Sequence, residues 1–134
     1  MRQLHLTRRI VVTGPATADE AWECYRVIDR WTDWAPHLTS VGASSPTLAA
    51  GVTGEATALG FVPTRFRVLA VDERSRTWSW VVCIGPSELH LDHDVAAVPR
   101  GARAGLTLTG PALFVLPYEP LASWALHRLV HARG

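Results

Sequence analysis

Residues 12–36, VTGPATADEAWECYRVIDRWTDWAP, join the end of a predicted strand to two predicted short helices. A Gly-Pro pair ends the strand. Thr17 is then followed three residues later by Glu20, the spacing of a capping box, which predicts that the first helix starts here. Pro36 prevents the second short helix from continuing, because the residue before a proline is biased away from helical geometry. The apolar side of the first helix is supplied by Ala21, Trp22, Tyr25, Val27 and Ile28.

Alternating apolar and polar residues predict strands on both sides of this stretch. Residues 4–12 alternate with period two, which is typical of a strand with one buried face. Between Pro36 and Gly110, six further short runs are separated by turn residues, which indicates an antiparallel meander. These runs are 39–43, 52–59, 64–71, 77–84, 88–98 and 103–109. The residues that share the inward parity are Phe66, Val68, Trp78, Trp80, Val82, Ile84, Leu89, Leu91, Val95, Leu106 and Leu108.

The last part of the chain is predicted to form one long amphipathic helix. From Pro111 onward, apolar residues recur at helical spacing as far as Leu129. Pro117 and Pro120 are expected to kink or restart the helix, with Pro120 in its first turn. A single helix must then cover one long, curved sheet. Because such a sheet cannot fill its own interior, an internal cavity is expected between the two.

Length and composition indicate one globular domain, residues 1–134, with a substantial apolar core. Thirteen basic residues, all of them arginine, oppose twelve acidic ones, and the net charge of +1 gives no reason to expect binding to nucleic acid or to an anionic membrane. The use of arginine without lysine suggests a GC-rich bacterial genome. Cys24 and Cys83 lie in no metal-binding or redox motif and are expected to be reduced thiols.

No apolar run approaches the roughly 18 residues that would span a bilayer. Charged residues also interrupt the first fifteen residues, so these residues do not contain the continuous apolar segment of a signal peptide. We therefore expect a cytoplasmic protein without a membrane span.

The element order and several motifs resemble the helix-grip superfamily, also called SRPBCC. It includes polyketide cyclases and dehydrases, START lipid-binding domains and the birch-pollen-allergen type. The resemblance covers the whole chain. The motifs that carry it are Val12-Thr13-Gly14-Pro15, Ala21-Trp22, Asp29, the Trp31, Trp34 and Pro36 stretch, Arg76-Thr77-Trp78-Ser79-Trp80 and residues 105–110. The resemblance implies an α+β fold in which a curved seven-stranded antiparallel sheet wraps around the C-terminal helix. It also implies a cavity that takes an apolar small molecule.

Tryptophans dominate the predicted cavity. Trp78 and Trp80 occupy adjacent positions of the same parity and could stack an aromatic ligand, although they could equally be core packing. Trp22, Trp31 and Trp34 are better explained as structural residues of the helix junction. The residues predicted to bind the ligand are Phe66, Trp78, Trp80, Leu91, Leu106 and Trp124.

Three residues are candidates for proton transfer or for holding a charged intermediate. His93 shares the inward parity of its apolar neighbours, so a neutral imidazole there could exchange a proton with a ligand, could hydrogen-bond it, or could be a satisfied core histidine. Arg8 has inward parity, and Arg128 lies on the apolar side of the last helix. Either could meet a ligand carboxylate or hold an enolate, while the alternative is a side chain that reaches out to solvent.

For several other polar residues, exposure to solvent or a position near the chain end is an alternative to a functional role. His90, Asp92 and Asp94 could begin a metal site, but their parity is that of the solvent face. His127 and His131 have metal-binding spacing near a fraying chain end. Glu55 and Tyr118 are loose candidates without a partner. Arg65 and Arg67 are expected to point outward, and no metal or cofactor is predicted.

The sequence therefore favours an enzyme, a polyketide cyclase or dehydratase that works by acid–base chemistry in a shaped pocket. Hydrolase, nucleotide-binding and zinc-protease motifs do not occur in it. The alternative is a carrier of a lipid or another hydrophobic metabolite. A protein-interaction role and a homodimer are further possibilities, and an exposed apolar patch would favour the former.

Overall fold

The computed structural model describes residues 4–132 and contains one seven-stranded antiparallel sheet with the order β1-β7-β6-β5-β4-β3-β2. The strands are β1 His5–Gly14, β2 Leu38–Ala43, β3 Thr53–Ala58, β4 Val62–Asp72, β5 Thr77–Ile84, β6 Ser87–Val98 and β7 Gly101–Pro111. The helices are α1 Ala18–Arg26, α2 Trp31–Trp34 and α3 Ala112–Leu129, with a single 3₁₀ turn, Ile28–Arg30, before α2. The predicted α+β fold, with two short helices after the first strand, is confirmed.

The capping box at the start of α1 forms as its spacing predicts. The Glu20 backbone N–H donates to Thr17 Oγ1 at 3.0 Å, and the Thr17 N–H donates to the Glu20 carboxylate at 2.9 Å. These bonds satisfy donors that the first turn of a helix leaves without a partner. They fix the point at which the chain leaves β1.

Two tryptophan side chains cap the C-terminal end of α1. The last carbonyls of a helix lack partners within the helix. Here the Trp31 indole donates to the Tyr25 carbonyl and the Trp34 indole donates to the Cys24 carbonyl, both at 3.0 Å. The Trp-x-x-Trp spacing therefore folds α2 back under the end of α1.

The curvature of the sheet has a local cause in β4. The pairing of β4 with β5 shifts between Val68 and Ala70, so Leu69 is an extra residue. Such a bulge bends a strand and increases its twist. Phe66, Val68, Trp78, Trp80 and Val82 are buried on the concave side.

The C-terminal helix differs from its prediction. Pro117 and Pro120 were expected to kink or restart it, but α3 runs without interruption from Ala112 and holds Pro120 in its middle. Both prolines are exposed. Burial of the opposite face of α3 against the sheet outweighs the hydrogen bonds that the two missing N–H groups would have made.

Both ends of α3 are fastened near the ends of β1. The Ala112 N–H donates to the Leu4 carbonyl at 2.7 Å, and the Ala16 N–H donates to the Val130 carbonyl at 2.8 Å. The second contact needs Gly14, since a Cβ atom there would lie 2.5 Å from the Val130 oxygen. The helix is therefore held across the concave face at a fixed height.

No helix within residues 4–132 is both long and apolar enough to cross a membrane. The prediction of a single domain spanning residues 1–134 stays a prediction. Its outermost residues, 1–3 and 133–134, lie outside the described part of the chain.

Candidate ligand-binding pocket

An apolar pocket of about 90 Å³ lies between the concave face of the sheet and α3. Its deep part is lined by Trp31, Trp78 and Trp80, and α3 contributes Leu121, Ala122, Ala125 and Leu126. Apart from Trp34 and Leu121, its partly exposed residues lie where β2 starts, at the ends of the strands that flank the β3–β4 and β5–β6 turns, and on α3. These residues are Leu38, Ala58, Val62, Ile84 and Tyr118. The pocket therefore opens at this end of the sheet.

The volume limits what the pocket can hold without rearrangement. A cavity of about 150 Å³ binds benzene, and sites for drug-sized ligands measure about 300–1,000 Å³. At about 90 Å³ the pocket is smaller than both. A ligand with even one aromatic ring must displace side chains, most easily the partly exposed ones at the mouth.

A cluster of aromatic rings forms the back of the pocket. The Trp78 and Trp80 rings lie 5.1 Å apart with an interplanar angle of 34°, and Trp31 lies 5.2 Å from Trp80. Trp78 also stacks on the His93 ring at 4.5 Å with an angle of 8°. These rings offer flat faces to an apolar ligand, and they also pack against each other.

His93 lines the pocket, but both of its ring nitrogens are engaged within the protein. The Trp80 indole N–H donates to His93 Nε2 at 3.0 Å, and His93 Nδ1 lies 3.0 Å from the Tyr25 hydroxyl. An indole can only donate, so Nε2 carries no proton and the neutral ring donates its Nδ1–H to Tyr25. Burial lowers the pKa of His93 to about 3, which keeps the ring neutral.

Two other polar groups of the pocket lack such partners. The buried atoms His37 Nδ1 and Trp78 Nε1 have no hydrogen-bond partner among residues 4–132. His37 Nε2 lies 3.5 Å from the Tyr118 hydroxyl, at the outer limit of a hydrogen bond. Thr64, by contrast, donates its hydroxyl to the Ala56 carbonyl at 2.8 Å. His37, Tyr118 and Trp78 are therefore the polar groups of the pocket with hydrogen-bonding capacity to spare.

Burial makes His37 and Tyr118 weak partners in proton transfer. It lowers the pKa of His37 to about 4 and raises the pKa of Tyr118 to about 12. A general acid or base works best with a pKa near the working pH. Both groups are neutral near pH 7, which suits hydrogen bonding to a ligand better than exchanging protons with it.

The structure places the predicted ligand-binding residues in three different surroundings. Trp78, Trp80 and Leu106 line the pocket. Phe66 and Leu91 are buried behind it in the core. Trp124 was expected in the cavity, but its side chain is 53% exposed on the far side of α3. Trp124 follows Ala122 by two residues, about 200° around the helix, so it faces away when Ala122 faces the pocket.

The two candidate arginines also lie outside the pocket. Arg8 does face α3, but it is half-exposed, and its Nε lies 3.6 Å from the Glu119 carboxylate. Arg128 is exposed, and its guanidinium donates to the Asp33 carbonyl at 2.7 Å. Arg128 thus satisfies a carbonyl near the end of α2 and joins this helix to α3. Neither arginine is among the residues that line the pocket, and a contact of either with a ligand stays a prediction.

The remaining polar candidates lie on the outer surface. Glu55, Arg65 and Arg67 are exposed on the convex face. The Arg9 guanidinium holds the Asp94 carboxylate with contacts of 2.7 and 3.1 Å. His90 lies 3.3 Å from Asp92 on the same face.

The metal-binding alternatives find no support in the geometry. The His127 and His131 ring centroids lie 4.1 Å apart with the rings tilted by 34°, and His131 Nδ1–H donates to the His127 carbonyl. Three potential ligands of the His, Cys, Asp or Glu type do not come together anywhere in residues 4–132. Cys24 and Cys83 are free thiols.

His37 is the functional candidate that the sequence did not reveal. It lies between α2 and β2, where no periodic pattern assigns a residue to a face. Its place directly after Pro36, at the end of the tryptophan stretch, was the one available signal. Tyr118 was a loose candidate, because no partner for it could be predicted from the sequence.

Comparisons with known proteins agree with this geometry. The sequence family described as polyketide cyclase / dehydrase and lipid transport matches residues 3–133. A search by sequence among curated proteins finds no match. Among solved structures, the crystal structure of Ara h 8.0201 superposes with a TM-score of 0.78 and covers 96% of this chain and 97% of its own. Its sequence identity is 13%, so this likeness establishes the fold alone.

Proposed function

Because the chain belongs to the polyketide cyclase / dehydrase and lipid transport family, we propose that its pocket binds a small apolar or aromatic molecule. The observation that carries this proposal is the buried aromatic surface between the sheet and α3, formed by Trp31, Trp78 and Trp80. Pockets of this kind, apolar with a few polar groups, are typical of small-molecule sites.

Binding without chemistry is the form of this function that the geometry supports best. The three polar groups with spare capacity, His37, Tyr118 and Trp78, can hold a ligand through hydrogen bonds. Their neutral state near pH 7 gives them little tendency to move protons. A binding or carrier protein needs nothing more than such a pocket.

A cyclase or dehydratase activity is the second candidate, and the His37–Tyr118 pair is the observation that favours it. A pocket that aligns a flexible poly-β-ketone already removes much of the entropic part of the barrier. Hydrogen bonds from this pair could then stabilise the negative oxygen of an enolate as it forms. His93, Arg8 and Arg128, the catalytic residues proposed from the sequence, fit less well, since His93 would first have to release Trp80 or Tyr25.

The first test is native mass spectrometry of freshly purified protein, followed by solvent extraction of any molecule that co-purifies. A bound aromatic or polyketide-derived mass supports the proposal and supplies a substrate for turnover assays. Displacement of that molecule by styrene would show that the two compete for one site. A protein that binds no aromatic or aliphatic probe at millimolar concentration contradicts the proposal.

Turnover separates the two candidates. With a substrate in hand, His37→Gln and His93→Gln are compared with the unaltered protein. If the unaltered protein turns the substrate over and His37→Gln loses turnover at unchanged affinity, the protein is an enzyme. If the unaltered protein shows no turnover and His37→Gln only lowers the affinity, the protein is a carrier.

The other sequence predictions stay proposals of the same kind. A cytoplasmic location fits two free cysteines, of which Cys24 is buried. A bacterial source, a role in biosynthesis and a homodimer rest on the sequence patterns alone. Exposed Leu113, Leu116 and Trp124 form an apolar row along α3 that a partner protein could use.

A further inference from the structure

Two buried polar atoms in the pocket indicate which chemical class of ligand it accepts. Trp78 is 3% exposed and His37 is 6% exposed, and both line the pocket. Trp78 Nε1 and His37 Nδ1 are the side-chain atoms of residues 4–132 that are buried without a hydrogen-bond partner. A buried polar atom without a partner destabilises the folded protein, so native proteins rarely retain one without a reason.

The Trp78 indole restricts the ligand most strongly because it can only donate. The neighbouring Trp80 indole shows the usual solution, since it donates to His93 Nε2. Stacking holds the Trp78 ring against His93 at 4.5 Å, so the ring cannot easily turn its N–H toward another part of the core. An acceptor atom on the ligand would satisfy this N–H.

His37 can adapt to the same ligand through its tautomer. The Tyr118 hydroxyl, 3.5 Å from Nε2, can donate to that nitrogen. The neutral ring then carries its proton on Nδ1 and becomes a second donor within the pocket. An acceptor ligand selects this tautomer, whereas a ligand without polar atoms leaves Nδ1 without a partner in either tautomer.

We propose that the ligand is an aromatic compound with a carbonyl-type oxygen, which accepts a hydrogen bond from Trp78 Nε1–H, with His37 Nδ1–H as a second donor of the same pocket. This inference rests on the proposed binding function and makes it more specific. The apolar rings receive the hydrocarbon part of the ligand, and the two donors select the oxygen. A hydrocarbon of the same shape leaves both donors without a partner.

The test compares benzaldehyde with styrene. The two have similar shapes, but styrene has a methylene group in the place of the carbonyl oxygen of benzaldehyde. Dissociation constants of both are measured by calorimetry for the unaltered protein and for Trp78→Phe and His37→Phe. The readout is the ratio of the styrene constant to the benzaldehyde constant, since changes in available space affect both probes alike. Trp124→Phe, an exposed tryptophan on the far side of α3, is the matched control.

We expect the ratio to fall about tenfold in Trp78→Phe, because the buried carbonyl loses its donor. A smaller fall is expected in His37→Phe and none in Trp124→Phe. His37→Phe keeps a ring of similar size, so it remains a test if Trp78→Phe does not fold. A Trp78 indole N–H signal that shifts downfield with benzaldehyde but not with styrene would provide direct support by NMR.

The possible failures are distinguishable. If both probes bind and the ratio is the same in every variant, water or an aromatic ring face accepts the hydrogen bonds of the two donors. This inference is then overturned, while the binding function stands. If neither probe binds the unaltered protein, the proposed binding function fails first.

Discussion

The hydrogen-bonded chain Trp80–His93–Tyr25 explains why a buried histidine is tolerated among apolar residues. Each ring nitrogen of His93 has one partner at 3.0 Å, and Trp78 covers one ring face. A buried histidine that is neutral and fully bonded carries no desolvated charge. His93 therefore orients the Trp80 indole and the Tyr25 phenol at the back of the pocket.

Tyr25→Phe should reveal this role through stability. The substitution leaves the buried Nδ1–H of His93 without an acceptor, so the free energy of unfolding should fall by about 1–3 kcal/mol. Chemical denaturation measures it. Tyr118→Phe removes the other tyrosine hydroxyl, whose contact with His37 spans 3.5 Å, and should cost less than 1 kcal/mol. Equal losses in the two variants would contradict the assigned importance of the His93 chain.

The two buried histidines should make the protein less stable in mild acid. The pKa of His93 falls to about 3 and that of His37 to about 4 on folding, whereas an unfolded histidine titrates near 6.5. The unfolded chain therefore binds protons first. The stability that the neutral rings confer is complete above about pH 6.5 and is lost as the pH falls toward the folded pKa values.

Each histidine contributes a slope of at most about 1.4 kcal/mol per pH unit below pH 6.5. Denaturation at pH 7, 6 and 5 should show the free energy of unfolding falling with pH, and His93→Gln should remove about half of this slope. A slope that His93→Gln leaves unchanged would mean that the ring is charged in the folded protein.

At the level of elements, the accuracy of prediction depended on how clearly a pattern defined a face. Alternation in β5 and β6 identified Trp78, Trp80 and His93 as inward residues, because a strand has only two faces. For α3 the predicted inward face was wrong at Trp124, because the apolar residues Leu113 and Trp124 are exposed on the side opposite the pocket. A helix with apolar residues on several sides does not reveal which side is buried.

Residues between helices and strands follow no periodic pattern, so their positions relative to the pocket could not be predicted. His37 reaches the pocket from the segment between α2 and β2, and its contact with Tyr118 joins positions 81 residues apart. Only the folded chain brings these two together. Trp31 and Trp34, predicted to be structural, do bond the carbonyls of α1, but both also line the pocket, which their spacing did not indicate.

The uninterrupted course of α3 predicts that Pro120→Ala stabilises the protein. Pro120 is exposed in mid-helix and has no N–H to donate to the Leu116 carbonyl. Alanine restores that bond and relieves the contact of the proline ring with the preceding turn. Against this, the unfolded chain gains about 0.4–1 kcal/mol of conformational freedom. We expect a net increase of roughly 1–2 kcal/mol in the free energy of unfolding.

Thermal and chemical denaturation check this increase. Pro86→Ala, an exposed proline in the turn between β5 and β6, is the matched control and should give no gain. A loss of stability in Pro120→Ala would mean that the proline ring, or the free Leu116 carbonyl, has a contact of its own.

At the level of the whole molecule, the pocket follows from one helix spanning one curved sheet. The bulge at Leu69 bends the sheet, and the bonds at the two ends of α3 hold the helix above it. The aromatic rings then fill most of the space between them. Ligand binding and core packing therefore use the same surfaces, so a ligand must displace favourable contacts between side chains in order to bind.

Filling the pocket from α3 should separate binding from stability. Ala122 is 3% exposed and lines the pocket, so Ala122→Leu adds three carbon atoms to a space of about 90 Å³. Burial of these carbons stabilises by about 0.8 kcal/mol each, while imperfect fit opposes this by about 1–3 kcal/mol. We expect the free energy of unfolding to change by less than about 2 kcal/mol, while styrene affinity falls at least tenfold.

Ala112→Leu, at the start of the same helix and outside the pocket, is the control and should leave styrene affinity unchanged. Calorimetry and denaturation on both variants suffice. Because stability and affinity are expected to move independently, a fall in affinity cannot be attributed to unfolding. If Ala122→Leu binds styrene as the parent protein does, the ligand does not occupy the space beneath α3. The exposed row of Leu113, Leu116 and Trp124 would then be the next surface to test.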